Sequence, residues 1–458
     1  MQPHSAQPQP RGIQPNTLLD ALLAEAGISH AGLAVRVNQA GRAQGLALRY
    51  EHTSVARWLR GQRPRGQVPN LICEVLSDRL HRVLTLDDIG FGRPGCPPDP
   101  AGHPLNGFLD RATALWRSDG QGRTHLAGAP ALTGTPAVMP VWEWENPPED
   151  LDVSRTGAQA ISPATLETLK EARSHYELMY RRVGGPATRP RIVRFLAVET
   201  APLLRGDYPD GLGRRLHRAS GALVAVAGIC AYDSDAHGLA QRYFHQALRL
   251  AKASGDRALG AYVIALLVNQ ALCLDECRQA MAFAEAALRG AGRSVSPALA
   301  GDLHAMQAKA YARLKDGTGA RECIRRAEAA AARVRPEAEP VETGYVQPGL
   351  VDVQVAEALL ELGDLTAARE HAEAAAVAPA HERGRVHRLA VLCETRLRQG
   401  DADLAGESAM EMAGCARGME SRRLQERLRS VRGQLLDTGC RKARETAGRI
   451  DEVLRVPW

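Results

Sequence analysis

Arg57, Arg60, Arg63 and Arg65 crowd the end of the stretch His52-Thr-Ser-Val-Ala-Arg-Trp-Leu-Arg-Gly-Gln-Arg-Pro64 and the residue after it. A guanidinium offers a planar fork of donors that fits a phosphate or the edge of a guanine, and short hydroxyls such as Thr53 and Ser54 reach base edges at close range. The chemistry is therefore binding, and its natural object is a polyanion. Between Arg36 and Arg65 seven arginines face one acid, Glu51, whereas the later two thirds of the chain alternates signs as solvated helix faces do. The whole-chain charge of +6 is too small to carry that reading, so it rests on the local concentration. An ordinary amphipathic helix with solvated arginines is the plain alternative.

Other reactive groups point to less. Asp233, Asp235 and His237 sit at i, i+2 and i+4, which do not share one helix face, and local turn bonds account for them better than a metal. Cys273 and Cys277 have no second pair or histidine at zinc spacing and read, with Cys323 and Cys393, as buried in a helical core. His371, His381 and His387 have the composition of a pH-sensitive patch but no arrangement that assigns one. There is no Gly-rich phosphate loop, nucleophile elbow or His-Glu-x-x-His. No catalytic residue, metal or cofactor is expected, and the chain does not read as an enzyme.

The arginines need a helix to hold them. Val55, Trp58 and Leu59 recur at helical spacing and form its buried anchor, leaving Ser54, Arg57 and Arg60 outward, with Gly61 and Pro64 as the stop. Upstream, Asn16 caps a helix whose Leu18, Leu19, Leu22 and Leu23 share a face and which ends at Gly27. Ser29 caps a second helix over Ala31 to Asn38, with Leu33, Ala34 and Val37 as its stripe and a stop at Gly41. Arg42 to Tyr50 is either a loop or an extension of that helix.

Aromatic residues make up only 4% of the 458, which favours close helix packing over sheets, so an all-α chain is expected. Only five of the 58 basic residues are Lys, and the Arg, Ala and Gly bias fits a GC-rich genome. The nine cysteines, odd in number and scattered, suit a reducing compartment. The start of the chain lacks the apolar core of a signal peptide, and no run of about 18 apolar residues occurs. A cytoplasmic, nucleoid-associated protein without membrane contact is expected.

Residues 1–15 are rich in Pro and Gln and are expected to be disordered. Residues 16–92 hold the arginine-bearing domain, and 93–158, dense in Pro and Gly, read as a linker whose Trp142 and Trp144 dock it. Residues 159–210 form a helical connector, 211–435 helical repeats, and 436–458 a C-terminal helix and tail. The repeats show as Ala240-x-x-Tyr243-Phe-x-x-Ala247, Ala280-x-x-Phe283-Ala-x-x-Ala287 and Ala320-x-x-Cys323-Ile-x-x-Ala327, at a period of about 40, with looser copies from Ala368 and Ala405. Small Ala lets paired helices approach, and the intervening larger residue fills the gap between units.

Ser29 to Gly41 followed by Thr53 to Pro64, with Val68 to Leu80 and Thr85 to Gly90 behind, resembles the XRE-type, lambda-repressor-like helix-turn-helix domain. Gly363-Asp-Leu-Thr-Ala-Ala-Arg-Glu-His-Ala and Gly400-Asp-Ala-Asp-Leu-Ala405 resemble tetratricopeptide repeats. Together with Val224 to Asp256, the chain is similar to actinobacterial, Streptomyces-type regulators that join these two parts, including negative regulators of sporulation and antibiotic production. The resemblance implies an N-terminal helix-turn-helix domain, a linker and a C-terminal tetratricopeptide-like α-solenoid. It implies a homodimeric repressor on double-stranded DNA, with a protein, peptide or small-molecule effector in the repeat groove. Thr53, Ser54 and Arg57 would contact bases, and Arg36, Arg60, Arg63 and Arg65 phosphates. The rival expectation is a repeat scaffold whose degenerate helix-turn-helix binds no DNA.

Overall fold

The computed structural model describes residues 15–43, 48–65, 68–80, 84, 86, 88–91, 105–122 and 124–455. Residues 1–14, most of the expected disordered terminus, lie outside them. The described residues are helical, with no β-strand among them and only two isolated bridges, Arg155 with Tyr208 and Ala160 with Asp207. They fall into two units, Met1–His103 and Pro104–Trp458. No single helix among them is long and apolar enough to cross a membrane.

The first unit holds α1 (Thr17–Ala26), α2 (His30–Ala43), α3 (His52–Leu59) and α4 (Val68–Leu80). Its core gathers Leu19, Leu22 and Leu23 of α1, Leu33 and Val37 of α2, Val55 and Trp58 of α3, Leu71, Ile72 and Leu76 of α4, and Ile89 and Phe91. Leu18, expected on the same face, is exposed, because one residue ahead of Leu19 it turns about 100° away. Gly41 does not stop α2; it is buried, and the helix runs on to Ala43. The Arg42 to Tyr50 stretch thus begins as helix and ends non-helical at Leu48 to Tyr50, with 44–47 outside the described residues.

In the second unit, the stretch expected to be a linker is largely structured. It carries α5 (Leu105–Gly120), the short α6 (Thr124–Ala127) and α7 (Thr135–Glu145). Leu109, Ala112 and Trp116 of α5 lie on one face at helical spacing and are buried, an apolar stripe that its Gly and Pro neighbours obscured. The expected connector is likewise core: α8 (Pro163–Val183), then α9 (Gly185–Phe195), which passes through a π-turn at Leu196–Thr200 into α10 (Ala201–Leu203). Leu166, Leu169, Ile192, Val193 and Leu196 join the same cluster as the repeats.

Helix hairpins follow in chain order: α11 (Asp210–Asp233) with α12 (His237–Ser254), α13 (Arg257–Cys273) with α14 (Cys277–Ala291), and α15 (Pro297–Arg313) with α16 (Gly317–Ala331). Next come α17 (Leu350–Leu362) with α18 (Leu365–Val377), α19 (Glu382–Arg398) with α20 (Ala402–Cys415), and α21 (Arg422–Asp437) with α22 (Arg441–Leu454). The expected boundary at 435/436 therefore cuts α21, whose Leu435 is a core residue. Connections of two or three residues force antiparallel neighbours. Each turn needs a left-handed residue, supplied by Asp235, Asp275, Lys315, Gly363, Gly400 and Gly439. Asp316, Asp364 and Asp401 then cap the next helix by accepting from the amides of Gly319, Ala367 and Leu404. Ala240, Tyr243 and Ala247 of α12, Ala280, Phe283 and Ala287 of α14, and Ala320, Cys323 and Ala327 of α16 are all buried.

His217 is fully buried in this core, and His245 and His387 are half-buried at its edge. Burial lowers His217 and His245 to about 4 and His387 to about 3; the carbonyl of Gly213, 2.5 Å from His217 Nδ1, pulls the other way. Because the folded values lie below the unfolded 6.5, unfolded chains take up protons first as pH falls. Stability present above pH 6.5 is lost progressively down to about pH 4, with His217 alone worth about 3 kcal/mol. His371, raised by its bond to Asp352, works in the opposite sense. Urea midpoints are expected to fall from pH 7 to pH 4.5, less so in His217→Leu; a flat profile contradicts the assignment.

Candidate nucleic-acid interface

The short helix α3 is held from several directions. Val55 is fully buried, Trp58 is buried edge-on to Tyr50 at 5.1 Å, and Leu59 is partly buried. The carbonyl of Leu59 accepts from the amide of Asn16 at 2.7 Å. Asn16 also caps α1 through Leu19 and donates its side-chain amide to Ile89, so one residue links α1, the end of α3 and the close of the domain. Ahead of α3, Asn38 pairs both side-chain groups with the backbone of Tyr50, donating to its carbonyl and accepting from its amide at 2.8 Å each. Asn38 was legible only as a helix-ending residue; its clamp role depends on a contact twelve residues away. After α3, Gly61 takes the left-handed turn that lets its amide reach Trp58 and that of Gln62 reach Arg57.

The outward face differs from expectation at one position. Ser54 is buried, and Arg57 Nη2 approaches its hydroxyl at 3.4 Å. Ser54 stands four residues before Trp58 and therefore shares the buried face of α3. Thr53, Arg57, Arg60, Arg63 and Arg65 are exposed, as are His52, Arg42 and Arg49. On α2, Arg36 is exposed and donates to the carbonyl of Gly32, while Arg60 donates to that of Ala56. Bonds to exposed carbonyls of the same helix exchange cheaply for a phosphate. The face is thus a run of guanidiniums around Thr53 and Arg57, with Glu51 as the acid in the same span.

The remaining candidates separate. Asp233 is not turn chemistry: it is fully buried and accepts from Gly185 N at 2.7 Å, Ser421 Oγ at 2.6 Å and the guanidinium of Arg383. Asp235 occupies the left-handed turn and meets His237 Nε2 at 3.0 Å. No group of three residues able to hold a metal occurs among the described residues. His371 lies against Asp352, His381 caps α19, and His387 faces Glu357, so these three do not form one patch. Cys277, Cys323 and Cys393 are buried, but Cys273 is exposed.

Of the two tryptophans placed in the expected linker, Trp144 is 1% exposed and Trp142 is 54% exposed. Trp144 fits between α13 and α14 where Gly260 and Gly290 leave room, with Arg257 over its ring at 5.2 Å and donating to its carbonyl. Lys252, Arg249 and Arg289 hold the carbonyls or carboxylates of Glu143, Asn146, Asp150 and Glu145 along the same segment.

Residues 19–92 match the family described as SP15 N-terminal domain, a span that covers α1 from its third residue, α2, α3 and α4. No curated protein was found to match the chain.

Proposed function

We propose that the chain is a DNA-binding transcriptional regulator that reads duplex DNA with α3. The observation that carries this reading is the division of α3: Val55 and Trp58 pin one side while Thr53 and Arg57 stand exposed on the other, flanked by Arg36, Arg60, Arg63 and Arg65. A recognition helix needs that division, because the anchor fixes its register and the free face meets the groove. Ser54, being buried, drops out of the base-reading set, which leaves Thr53 and Arg57. The regulator acts as a homodimeric helix-turn-helix repressor in the cytoplasm, controlling development or secondary metabolism. Its tetratricopeptide-like array takes up a partner protein, peptide or small effector whose binding shifts how the DNA-reading units are presented.

Arg57→Ala is expected to weaken specific DNA binding by about 1–3 kcal/mol and relax one base position. Arg63→Ala is expected to weaken every sequence alike and to reduce the salt slope by about one. Titration of selected and random duplexes at several salt concentrations checks both; wild-type affinity of Arg57→Ala for both duplexes removes α3 from the role.

A further inference from the structure

Cys273, the last residue of α13, opens on a cavity of about 290 Å³ whose lining includes Lys309, Arg313, Glu357, Arg423 and Arg427. Its sulfur receives Arg423 Nη1 at 2.7 Å. His237 Nε2 meets Asp235 at 3.0 Å, and the buried Nδ1 of that ring has no hydrogen-bond partner. The guanidinium of Arg423 also lies 4.0 Å over the ring of Tyr232, which stands edge-on to His237 at 5.6 Å. Tyr232 is 8% exposed, and its buried hydroxyl has no hydrogen-bond partner. Arg423 thus favours the thiolate by direct donation, and two buried polar atoms of its neighbours, His237 Nδ1 and the Tyr232 hydroxyl, have no partner.

We propose that Cys273 is a peroxide-reactive thiolate, with hydrogen peroxide or a small hydroperoxide as its substrate and Arg423 and His237 as its activating groups. The thiolate attacks one peroxide oxygen; the S–O bond forms and the O–O bond breaks. Sulfur is oxidised by two electrons to the sulfenic acid, the peroxide is reduced, and the leaving hydroxide takes the His237 proton to become water. With a small hydroperoxide the leaving group departs as the alcohol. The new oxygen is the acceptor that Tyr232 lacks. The surroundings agree: His237 and Arg423 hold the Cys273 thiol down to about 7 against burial, whereas burial pushes Cys393 up to about 12. Oxidation removes the anion that binds Arg423, the second residue of α21, and so loosens that helix from α11 and α13.

The test treats the full chain with hydrogen peroxide at pH 7 in the presence of dimedone, followed by peptide mapping. Cys273 is expected to be trapped about 10-fold faster than the half-buried Cys415 and Cys440, with the rate falling about 10-fold in Arg423→Gln and His237→Asn. Trapping no faster than at Cys440, or rates unchanged in both variants, overturns the proposal. Iodoacetamide alkylation of the unaltered chain gives a second reading that needs no variant: a Cys273 midpoint near 7 supports the thiolate, and one above about 8.5 overturns it.

Discussion

Asp233→Ala is expected to destabilise the second unit by about 3–5 kcal/mol, the cost of leaving a buried guanidinium without its counter-charge. The carboxylate is wholly inaccessible and serves partners from three distant parts of the chain: Gly185 at the start of α9, Arg383 in α19 and Ser421 at the cap of α21. Arg383 also lies 4.7 Å over the ring of Tyr180 and is itself little exposed, so it cannot turn to water when Asp233 is lost. Next to this cluster the amide of Glu420 donates to the carbonyl of Val183, and the carbonyl of Glu420 sits where a Cβ on Gly184 would fall. The first and last hairpins of the array therefore meet at Asp233. Urea unfolding of Asp233→Ala is expected to show a lowered midpoint, and Asp233→Ala with Arg383→Met is expected to recover part of the loss because both charges are gone. A single variant within about 0.5 kcal/mol of the parent means the cluster is not a joint.

Trp144→Ala is the second large effect, about 3–5 kcal/mol for emptying a buried aromatic site. Gly260 and Gly290 cannot refill it without collision in the parent: a Cβ on Gly260 would lie 2.0 Å from Trp144 Nε1, and one on Gly290 2.6 Å from Cζ3. Loss of the indole also removes the surface under Arg257. Amide exchange across 135–150 is expected to accelerate in Trp144→Ala and stay near parental rates in Trp142→Ala, since Trp142 is exposed. Equal behaviour of the two variants contradicts the docking geometry.

Trp144 is buried as its sequence context leads one to expect, whereas Trp142 is exposed and the role of Asp233 is invisible in its local sequence. The repeat pattern was legible because Ala240, Ala247, Ala280, Ala287, Ala320 and Ala327 recur at a fixed period and each packs on its chain neighbours. The anchor of α3 was legible for the same local reason, as Val55 and Trp58 fall on one face of one helix. Asp233 looked like a turn residue because its partners lie 48, 150 and 188 positions away. On a smaller scale, the clamp of Asn38 on the backbone of Tyr50 lies outside any one helix, while Ser54 belongs with Trp58 on the buried face of α3 rather than with Arg57. The apolar stripe of α5 was hidden by the Gly- and Pro-rich residues around it, a composition that usually marks a linker.

Cys273 shows the same limit for chemistry. Its spacing from Cys277 suggested two buried core thiols, but the turn after α13 leaves Cys273 exposed and Cys277 buried. Arg423, which holds its sulfur, lies 150 residues downstream.

The central claim, that the exposed arginine face of α3 meets DNA, is tested most directly by the salt dependence of binding. Full-length protein titrated onto GC-rich genomic duplexes is expected to bind with a log–log slope on the order of −4 per reading unit, from phosphate contacts by Arg36, Arg60, Arg63 and Arg65. Absence of binding at 50 mM salt, or binding whose affinity does not change with salt, contradicts it.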